Sequence, residues 1–121
     1  MRISSRLTAA AALVCLPAMA FAAGAIAVDD QEGQNPADIG WGYSTGHDTR
    51  DEAGRAALRE CRKHGNKNCK VVVRFDSCGA YAASRKHYGI GWGSSKAAAQ
   101  RIALRECGEN CQIVGAVCED D

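Results

Sequence analysis

The five residues ALREC occur twice in this chain, at positions 57–61 and 103–107. Two other pairs of similar short sequences precede ALREC in the same order in both places. GAIA at 24–27 corresponds to GAYA at 79–82, and IGWG occurs at 39–42 and again at 90–93. Matched words in a matched order indicate a duplicated structural unit. The fold must therefore be one that two similar halves, residues 24–78 and 79–118, can build together.

The cysteines repeat in the same order as these words. Of the seven in the chain, Cys15 precedes both units and the other six fall three to a unit: Cys61, Cys69 and Cys78, then Cys107, Cys111 and Cys118. An even number of cysteines in a small exported domain is typical of disulfides, because a core of this size needs covalent support. The spacings match neither the C-x-x-C pairs nor the Cys/His clusters of metal sites, so we expect no metal.

The register of the two units favours one disulfide pairing, although six cysteines permit about fifteen. Cys61 with Cys69, and Cys107 with Cys111, would each join the end of a helix to the start of the next strand. Cys78 and Cys118 remain, and we expect them to bridge the two units.

The first 22 residues have the layout of a secretory signal peptide. Arg2 and Arg6 precede the apolar stretch LTAAAALVCLPAMAFA. Small residues at positions 20 and 22 form an A-x-A cleavage pattern. We predict cleavage after Ala22, which leaves a single domain, residues 23–121, in the periplasm or outside the cell. The apolar stretch is too short and alanine-rich for a transmembrane anchor, and Cys15 lacks the context of a lipid-attachment site.

The charge balance of the predicted mature chain argues against nucleic acid as a partner. The whole chain carries 15 Lys+Arg and 14 Asp+Glu, and loss of Arg2 and Arg6 leaves 13 against 14. A chain so close to neutral has no electrostatic basis for binding nucleic acid or an anionic membrane.

Helical and strand periodicities can be distinguished within each unit. A capping box from Thr49 to Glu52 begins a helix over about residues 50–64, and a second helix should start near Ser94 or Ser95 and stop at Gly108. Short apolar or β-branched runs are predicted as strands, at 25–28, 41–44, 71–73, 80–83, 91–93 and 113–117. We predict an α+β fold of two strand-strand-helix-strand units with a pseudo-twofold relation, a mainly antiparallel sheet, two helices and disulfide stabilisation.

Taken in order, these words resemble a known family. GAIAVDD, GWGYS, ALRECRKHGNKNCKVVV, CGAYA, GWGSS and ALRECGENC are together similar to the bacterial domain-of-unknown-function family 4189, over nearly all of residues 23–121. The resemblance implies a small exported protein. It implies no catalytic residues, because the members share no established biochemical role.

One motif suggests catalysis on its own. Residues 42–46, GYSTG, match the G-x-S-x-G elbow of serine hydrolases, and His47 and Asp48 follow at once. That elbow requires a larger sheet and an acid and histidine that come later in the chain. We therefore predict that Ser44, His47 and Asp48 are not catalytic, and a small serine-type hydrolase is the alternative.

The remaining candidate residues have structural explanations. The glycines of GIGWGSS, 89–95, precede a helix and could hold an anion, but glycines needed for close packing are the simpler interpretation. The three histidines, His47, His64 and His87, lie in polar stretches and are expected to be solvated. The IGWG words place Trp41 and Trp92 at equivalent positions, which predicts two packed aromatics rather than an exposed ligand platform. We expect no cofactor.

Two equivalent connections differ in charge. The connection DDQEGQNPAD contains Asp29, Asp30, Glu32 and Asp38, whereas its counterpart SRKHY contains Arg85, Lys86 and His87. Solvated loops are one interpretation. The other is a bipolar surface that orients a partner through its charges.

These observations favour a non-catalytic role. We expect an exported protein of the bacterial envelope or exterior that binds a protein or another envelope macromolecule, with inhibition of an envelope-targeting enzyme as a specific form of that role. A structural envelope component is a further alternative.

Overall fold

The computed structural model describes residues 22–121. The predicted signal peptide, with Arg2, Arg6 and Cys15, lies outside these residues except for Ala22. Within the described range, no helix has the length and apolar character needed to cross a membrane.

Each unit folds in the predicted order of strand, strand, helix and strand. The elements are β1 (Ala23–Asp29), β2 (Gly40–His47), α1 (Arg50–Lys63), β3 (Lys70–Phe75), β4 (Cys78–Ala83), β5 (Tyr88–Gly93), α2 (Lys96–Cys107) and β6 (Gln112–Cys118). A short 3-10 helix, Pro36–Asp38, lies in the connection between β1 and β2. The α+β class with two helices is therefore confirmed.

The strands form two three-stranded antiparallel sheets. Their orders are β2-β1-β3 and β5-β4-β6, so the first strand of each unit is central in its own sheet. Helix α1 packs on one face of the first sheet and α2 on one face of the second, while the other two faces pack against each other. The result is four layers: α1, first sheet, second sheet, α2.

The two sheets have equivalent registers. In the first, Ile26 lies opposite Tyr43 and Val73, and in the second, Tyr81 lies opposite Ile90 and Gly115. The pairing of β1 with β3 shifts after Ile26, and that of β4 with β6 shifts after Tyr81. A β-bulge at the same place in both units is a conformational detail that a duplication would copy.

Both helices begin with a side-chain cap. The Thr49 hydroxyl accepts a hydrogen bond from the Glu52 amide at 3.1 Å, as the capping box predicts, and donates to the Glu52 carboxylate at 3.1 Å. The Ser95 hydroxyl accepts from the Ala98 amide at 3.1 Å. Each cap satisfies one of the amides that a helix start leaves without a partner.

Alanine and glycine line the contacts between helices and sheets. One cluster joins Ala25 and Ala27 of β1 to Ala53, Ala57 and Cys61 of α1, and an equivalent cluster joins β4 to α2. A Cβ atom added at Gly42 would overlap the backbone of Cys61, and one added at Gly89 or Gly91 would overlap the backbone of α2. Each helix backbone therefore lies directly on its sheet, which only very small residues permit.

Larger side chains fill the space between the sheets. This cluster consists of the buried residues Ile26, Val28, Ile39, Val73, Phe75, Tyr81, Ala83 and Val117. Because strand side chains alternate between faces, each central strand gives its small residues to the helix and its larger ones to the opposite sheet.

Three disulfides join the predicted cysteine pairs, Cys61 to Cys69, Cys78 to Cys118 and Cys107 to Cys111. The first and third tie a helix end to the following strand. The expected role of Cys78–Cys118 is wrong, because Cys78 begins β4 and lies opposite Cys118 of β6 in the same sheet. That disulfide closes the second unit, and the second unit begins at Cys78 rather than at residue 79.

The two IGWG words are also not structurally equivalent. Trp41 lies opposite Val28, whereas the residue opposite the equivalent Ala83 is Tyr88, and Trp92 lies opposite Gly79. Trp41 is half-buried against the core between the sheets, but Trp92 is 62% exposed. The prediction of two packed tryptophans is therefore wrong for Trp92, because the second word is displaced along its strand.

Candidate functional site

The two connections of opposite charge lie together at one end of the molecule. We call residues 29–38 the acidic connection and residues 84–88 the basic turn. The Arg85 guanidinium donates a hydrogen bond to the Gly33 carbonyl at 3.0 Å, and the Tyr81 hydroxyl donates to the Asp30 carboxylate. The acidic connection of the first unit is therefore attached to the second unit at two points.

Asp29 holds the start of the acidic connection in place. Its carboxylate accepts hydrogen bonds from the Gln31 side chain and from the backbone amides of Lys67, at 3.1 Å, and Asn68, at 3.2 Å. These donors, Gln31 first, lower the pKa of Asp29 below its ordinary value because they stabilise the charged form. Asp29 thus joins this connection to the loop between α1 and β3.

Asp30 is bound from the other side by a buried tyrosine. Tyr81 is 1% exposed and its ring stacks on Tyr88, with ring centroids 5.9 Å apart. Burial, and then the hydrogen bond to Asp30, raise the pKa of Tyr81, so the phenol stays protonated and remains a donor. The Asp30 contact thereby fixes the acidic connection to the central strand of the second sheet.

The basic turn is held by its own first residue. The Ser84 hydroxyl accepts hydrogen bonds from the amides of Lys86, at 3.2 Å, and His87, at 2.9 Å, and the Ser84 amide donates to the His87 carbonyl at 2.8 Å. Arg85, Lys86 and His87 are exposed. The turn is therefore short and internally bonded, and its side chains are exposed although Arg85 also contacts Gly33.

The charges of the two segments do not neutralise each other in ion pairs. Between residues 22 and 121 the ion pairs are Arg50–Asp76, Lys63–Glu60 and Lys96–Asp121, and none joins the basic turn to the acidic connection. Glu32 and Asp38 of the acidic connection and Arg85 and Lys86 of the basic turn are all exposed. Both charges are therefore available to a partner.

A groove of about 770 Å³ adjoins the basic turn. Its walls are the basic turn, Pro36 of the acidic connection, and the segment from Cys107 to Gln112 that contains the Cys107–Cys111 disulfide. Of the candidate binding residues, Arg85, Lys86 and His87 thus line this groove, whereas Glu32 and Asp38 are exposed in the acidic connection, which contributes Pro36 to it.

Two of the three serine-hydrolase candidates share a pocket of about 560 Å³. Ser44 and His47 line it, with Glu60 and His64, whereas Asp48 does not. The buried Ser44 hydroxyl donates to the Ala53 carbonyl of α1 at 2.6 Å. Its counterpart in the second unit, opposite Ala80, is Gly91. Ser44 therefore occupies a helix-packing position.

The glycine-rich segment and the histidines are placed by packing and by turns. Gly89 and Gly91 face α2, in agreement with the packing interpretation. His64 caps the end of α1 and His87 lies in the basic turn, both exposed, while His47 is half-buried at the end of β2.

One group of metal-ligand type occurs among the described residues. It consists of Cys118, Asp120 and Asp121, but the Cys118 sulfur is already bonded to Cys78. Asp121 accepts hydrogen bonds from the Cys118 amide and pairs with Lys96, and these contacts lower its pKa.

A second groove was not predicted from the sequence. It measures about 580 Å³, lies between the edges β3 and β5, and is lined by Val72, Ile90 and the exposed Trp92. The sequence did not reveal this groove, because the repeated IGWG suggested that Trp92 packs as Trp41 does. The alternation of glycine with large residues in YGIGWG was the available signal, since it predicts a strand with one very flat face and one bulky face.

Comparison with known proteins now assigns the chain to a family. The family model described as "Domain of unknown function (DUF4189)" matches residues 23–118. The chain belongs to this family. The resemblance inferred from the sequence is thereby confirmed.

Relatives in mycobacteria match part of the chain. Protein Rv1269c of Mycobacterium tuberculosis (strain H37Rv) and protein Mb1300c of Mycobacterium bovis are each 40% identical to it over 68 residues, which is 56% of this chain and 52% of the relative. The chain thus spans about half the length of these relatives. No solved structure matches the chain significantly.

Proposed function

We propose that this DUF4189 protein is an exported, non-catalytic binding protein whose partner is a protein or another macromolecule of the bacterial envelope or exterior. The observation that carries the proposal is the attachment of the acidic connection to the second unit, through Arg85 of the basic turn to Gly33 and through Tyr81 of β4 to Asp30. Three disulfides support export, because such bonds persist in oxidising compartments.

A rigid surface with both charges suits orientation of a partner. Exposed loops that were free to move would lose conformational entropy on binding, whereas these are already fixed by internal hydrogen bonds. Acidic and basic side chains on one surface give it a dipole, which attracts a complementary surface in one orientation and opposes the reversed one. We therefore assign Glu32, Asp38, Arg85, Lys86 and His87 to the contact.

The structural role of Ser44 supports the non-catalytic part of this proposal. Its hydroxyl is buried under α1 and bonded to a backbone carbonyl, so it has no free path to a substrate. Neutralisation of an enzyme that acts on the envelope is the specific form that we favour, since a small disulfide-bonded domain survives outside the cell. Size and compartment alone support that form.

The test begins with affinity capture of partners from envelope and culture fractions, with the disulfides intact and a reduced sample as control. The affinity of the captured partner is then measured for the double variant Arg85→Glu, Lys86→Glu. We expect at least about a tenfold weaker affinity and a smaller dependence on salt, because the variant reverses one pole of the surface.

The matched control is the double variant Arg55→Glu, Arg59→Glu. These two arginines are exposed on α1, in the layer farthest from the second sheet, and the variant changes the net charge by the same amount. It should bind like the original protein. Equal affinity and equal salt dependence for the Arg85, Lys86 variant would overturn the proposal.

A further inference from the structure

The edges of the two sheets meet along two sides of the molecule, which we call the β2–β6 seam and the β3–β5 seam. At the β2–β6 seam, the Trp41 ring lies on Gly115. At the β3–β5 seam there is no such cover, and the groove of about 580 Å³ lies there, with Val72 and Ile90 half-buried in it and Trp92 exposed. An apolar groove with an exposed tryptophan has the features of a binding surface.

Strand β5, one wall of this groove, is the most regular edge strand of the molecule. The pairings of β2, β3 and β6 with their central strands each contain a register shift, whereas β5 pairs with β4 in an unbroken register from Tyr88 to Gly93. Bulges commonly protect edge strands, because they disturb the row of amides and carbonyls that another strand would bind. Among the described strands, β5 alone lacks this protection.

The composition of β5 also leaves its edge open. YGIGWG contains no charged residue and no proline, which are the other common means of protecting an edge. Its glycines face α2, so Tyr88, Ile90 and Trp92 all project from the other face, where Ile90 and Trp92 line the groove. A regular strand edge and an apolar groove therefore lie side by side.

We propose that the free edge of β5 binds an extended segment of a partner protein as an added strand. In this mode, backbone hydrogen bonds to β5 supply affinity, and alternate side chains of the segment enter the groove. The groove at Val72, Ile90 and Trp92 would take apolar side chains. Tyr88 ends the basic turn and begins β5, but the groove shares no lining residue with the acidic connection or the basic turn. The test of this site is therefore independent of the function proposed above.

Charges beside the groove indicate an acidic residue in the bound segment. Arg50 is paired with Asp76, with one guanidinium nitrogen 3.0 Å from each carboxylate oxygen. Arg74 donates to the Arg50 carbonyl at 3.3 Å, but has no ion-pair partner among residues 22–121. Because Arg74 lines the groove but extends over Gly54 on the α1 side of β3, a carboxylate of the segment that reaches past the β3 edge would pair with it.

Charge also disfavours a second copy of the chain as the occupant. Antiparallel pairing of two β5 strands about their centres would align position 85 of each copy with position 96 of the other, because these positions lie beyond opposite ends of β5. Arg85 and Lys86 of one copy would then lie near Lys96 of the other, and like charges brought together repel each other. A different protein with an acidic segment fits the edge better.

The experiment uses a displayed library of random nine-residue peptides, selected against the oxidised protein and counter-selected against its Trp92→Ala variant. We expect the enriched peptides to alternate apolar residues and to carry an acidic residue. One enriched peptide, synthesised and labelled, should bind Trp92→Ala at least about tenfold more weakly, because an exposed aromatic anchor contributes much of such an affinity. Tyr43→Ala is the matched control, an exposed aromatic at the other seam, and should bind normally.

Two further measurements separate strand addition from other modes. The bound peptide should slow amide exchange at residues 88–93, and N-methylation of alternate peptide amides should abolish binding. Arg74→Gln should weaken binding about threefold or more and reduce its dependence on salt. The proposal is overturned if no peptide survives counter-selection, if protection maps elsewhere, or if sedimentation shows a dimer that Trp92→Ala abolishes.

Discussion

The β2–β6 seam and the β3–β5 seam are built from equivalent positions, and one of these positions holds residues of different size. Gly115 lies opposite Tyr81, and its counterpart opposite Ile26 is Val73. The glycine leaves room for the Trp41 ring, so this seam is covered. Val73 has the equivalent position at the open seam, where Tyr88, the counterpart of Trp41, is 59% exposed.

This difference shows that equivalent edges of two duplicated units can have different roles. In one copy the edge aromatic contributes to the core, and in the other the same edge carries exposed aromatics and borders a groove. The second sheet contains an additional covalent tie, since Cys78 lines the groove and is bonded to Cys118. The first sheet has Ala23 and Asp76 at the corresponding places and no disulfide there.

The largest expected effect comes from removing that tie. In the double variant Cys78→Ala, Cys118→Ala, the free energy of unfolding should fall by about 4 kcal/mol, because the disulfide closes a long loop in the unfolded chain. Denaturant unfolding of the oxidised variant measures it. Removal of Cys107–Cys111, whose sequence separation is 4, should cost only about 2 kcal/mol. Equal losses for the two would contradict this account.

Replacing the two tryptophans compares the seams directly. Trp41→Ala should lower the free energy of unfolding by about 3 kcal/mol, because it removes a large ring packed on the core. Trp92→Ala should change it by about 0.5 kcal/mol or less, since the ring is mostly exposed. Denaturant midpoints of both variants, under the same oxidising conditions, give the comparison. A larger loss for Trp92→Ala would reverse our assignment of the two seams.

A smaller loss of stability is expected when Gly115 of the covered seam is replaced by valine, the residue at the equivalent position of the open seam. A Cβ atom at Gly115 would lie 2.6 Å from the Trp41 ring, so Gly115→Val must displace that ring. We expect a loss of about 2 kcal/mol from overpacking and a red shift of tryptophan fluorescence as Trp41 becomes solvated. In the Trp92→Ala background the shift reports Trp41 alone. An unchanged spectrum there would show that the glycine does not determine the cover.

The smallest effect concerns the residues that end the first strand of each unit, Asp29 and its counterpart Ser84. The pKa of Asp29 is lowered in the folded state, so its contribution is complete above its ordinary value of 3.8 and is lost as the pH falls through the folded-state pKa. Asp29→Asn should therefore destabilise the protein at pH 6 and less so at pH 2. Ser84→Ala, which removes an uncharged acceptor, should show no such pH dependence. Thermal unfolding across this range tests both.

Much of the fold could be predicted because its signals are local. Thr49 and Ser95 are capping residues that mark the starts of the two helices. The alanine spacing around ALREC marks the helix face that contacts the sheet. The disulfide pairs follow from the positions of helix ends and strand starts. The site was only partly predictable, since the opposite charges of the two connections are visible in sequence but their attachment through Arg85 and Tyr81 is not.

The sequence by itself determined the duplicated order of elements, the two helices, the cysteine pairs and the family. Only the tertiary structure decided which sheet Cys78 joins, that Trp92 is exposed, and that β5 is the regular edge. The physical reason is that helix and strand formation depend on neighbours in the chain, whereas cover and exposure depend on what lies across the space between two sheets. Gly115 illustrates this, because its lack of a side chain matters only where the Trp41 ring of the other sheet lies on it.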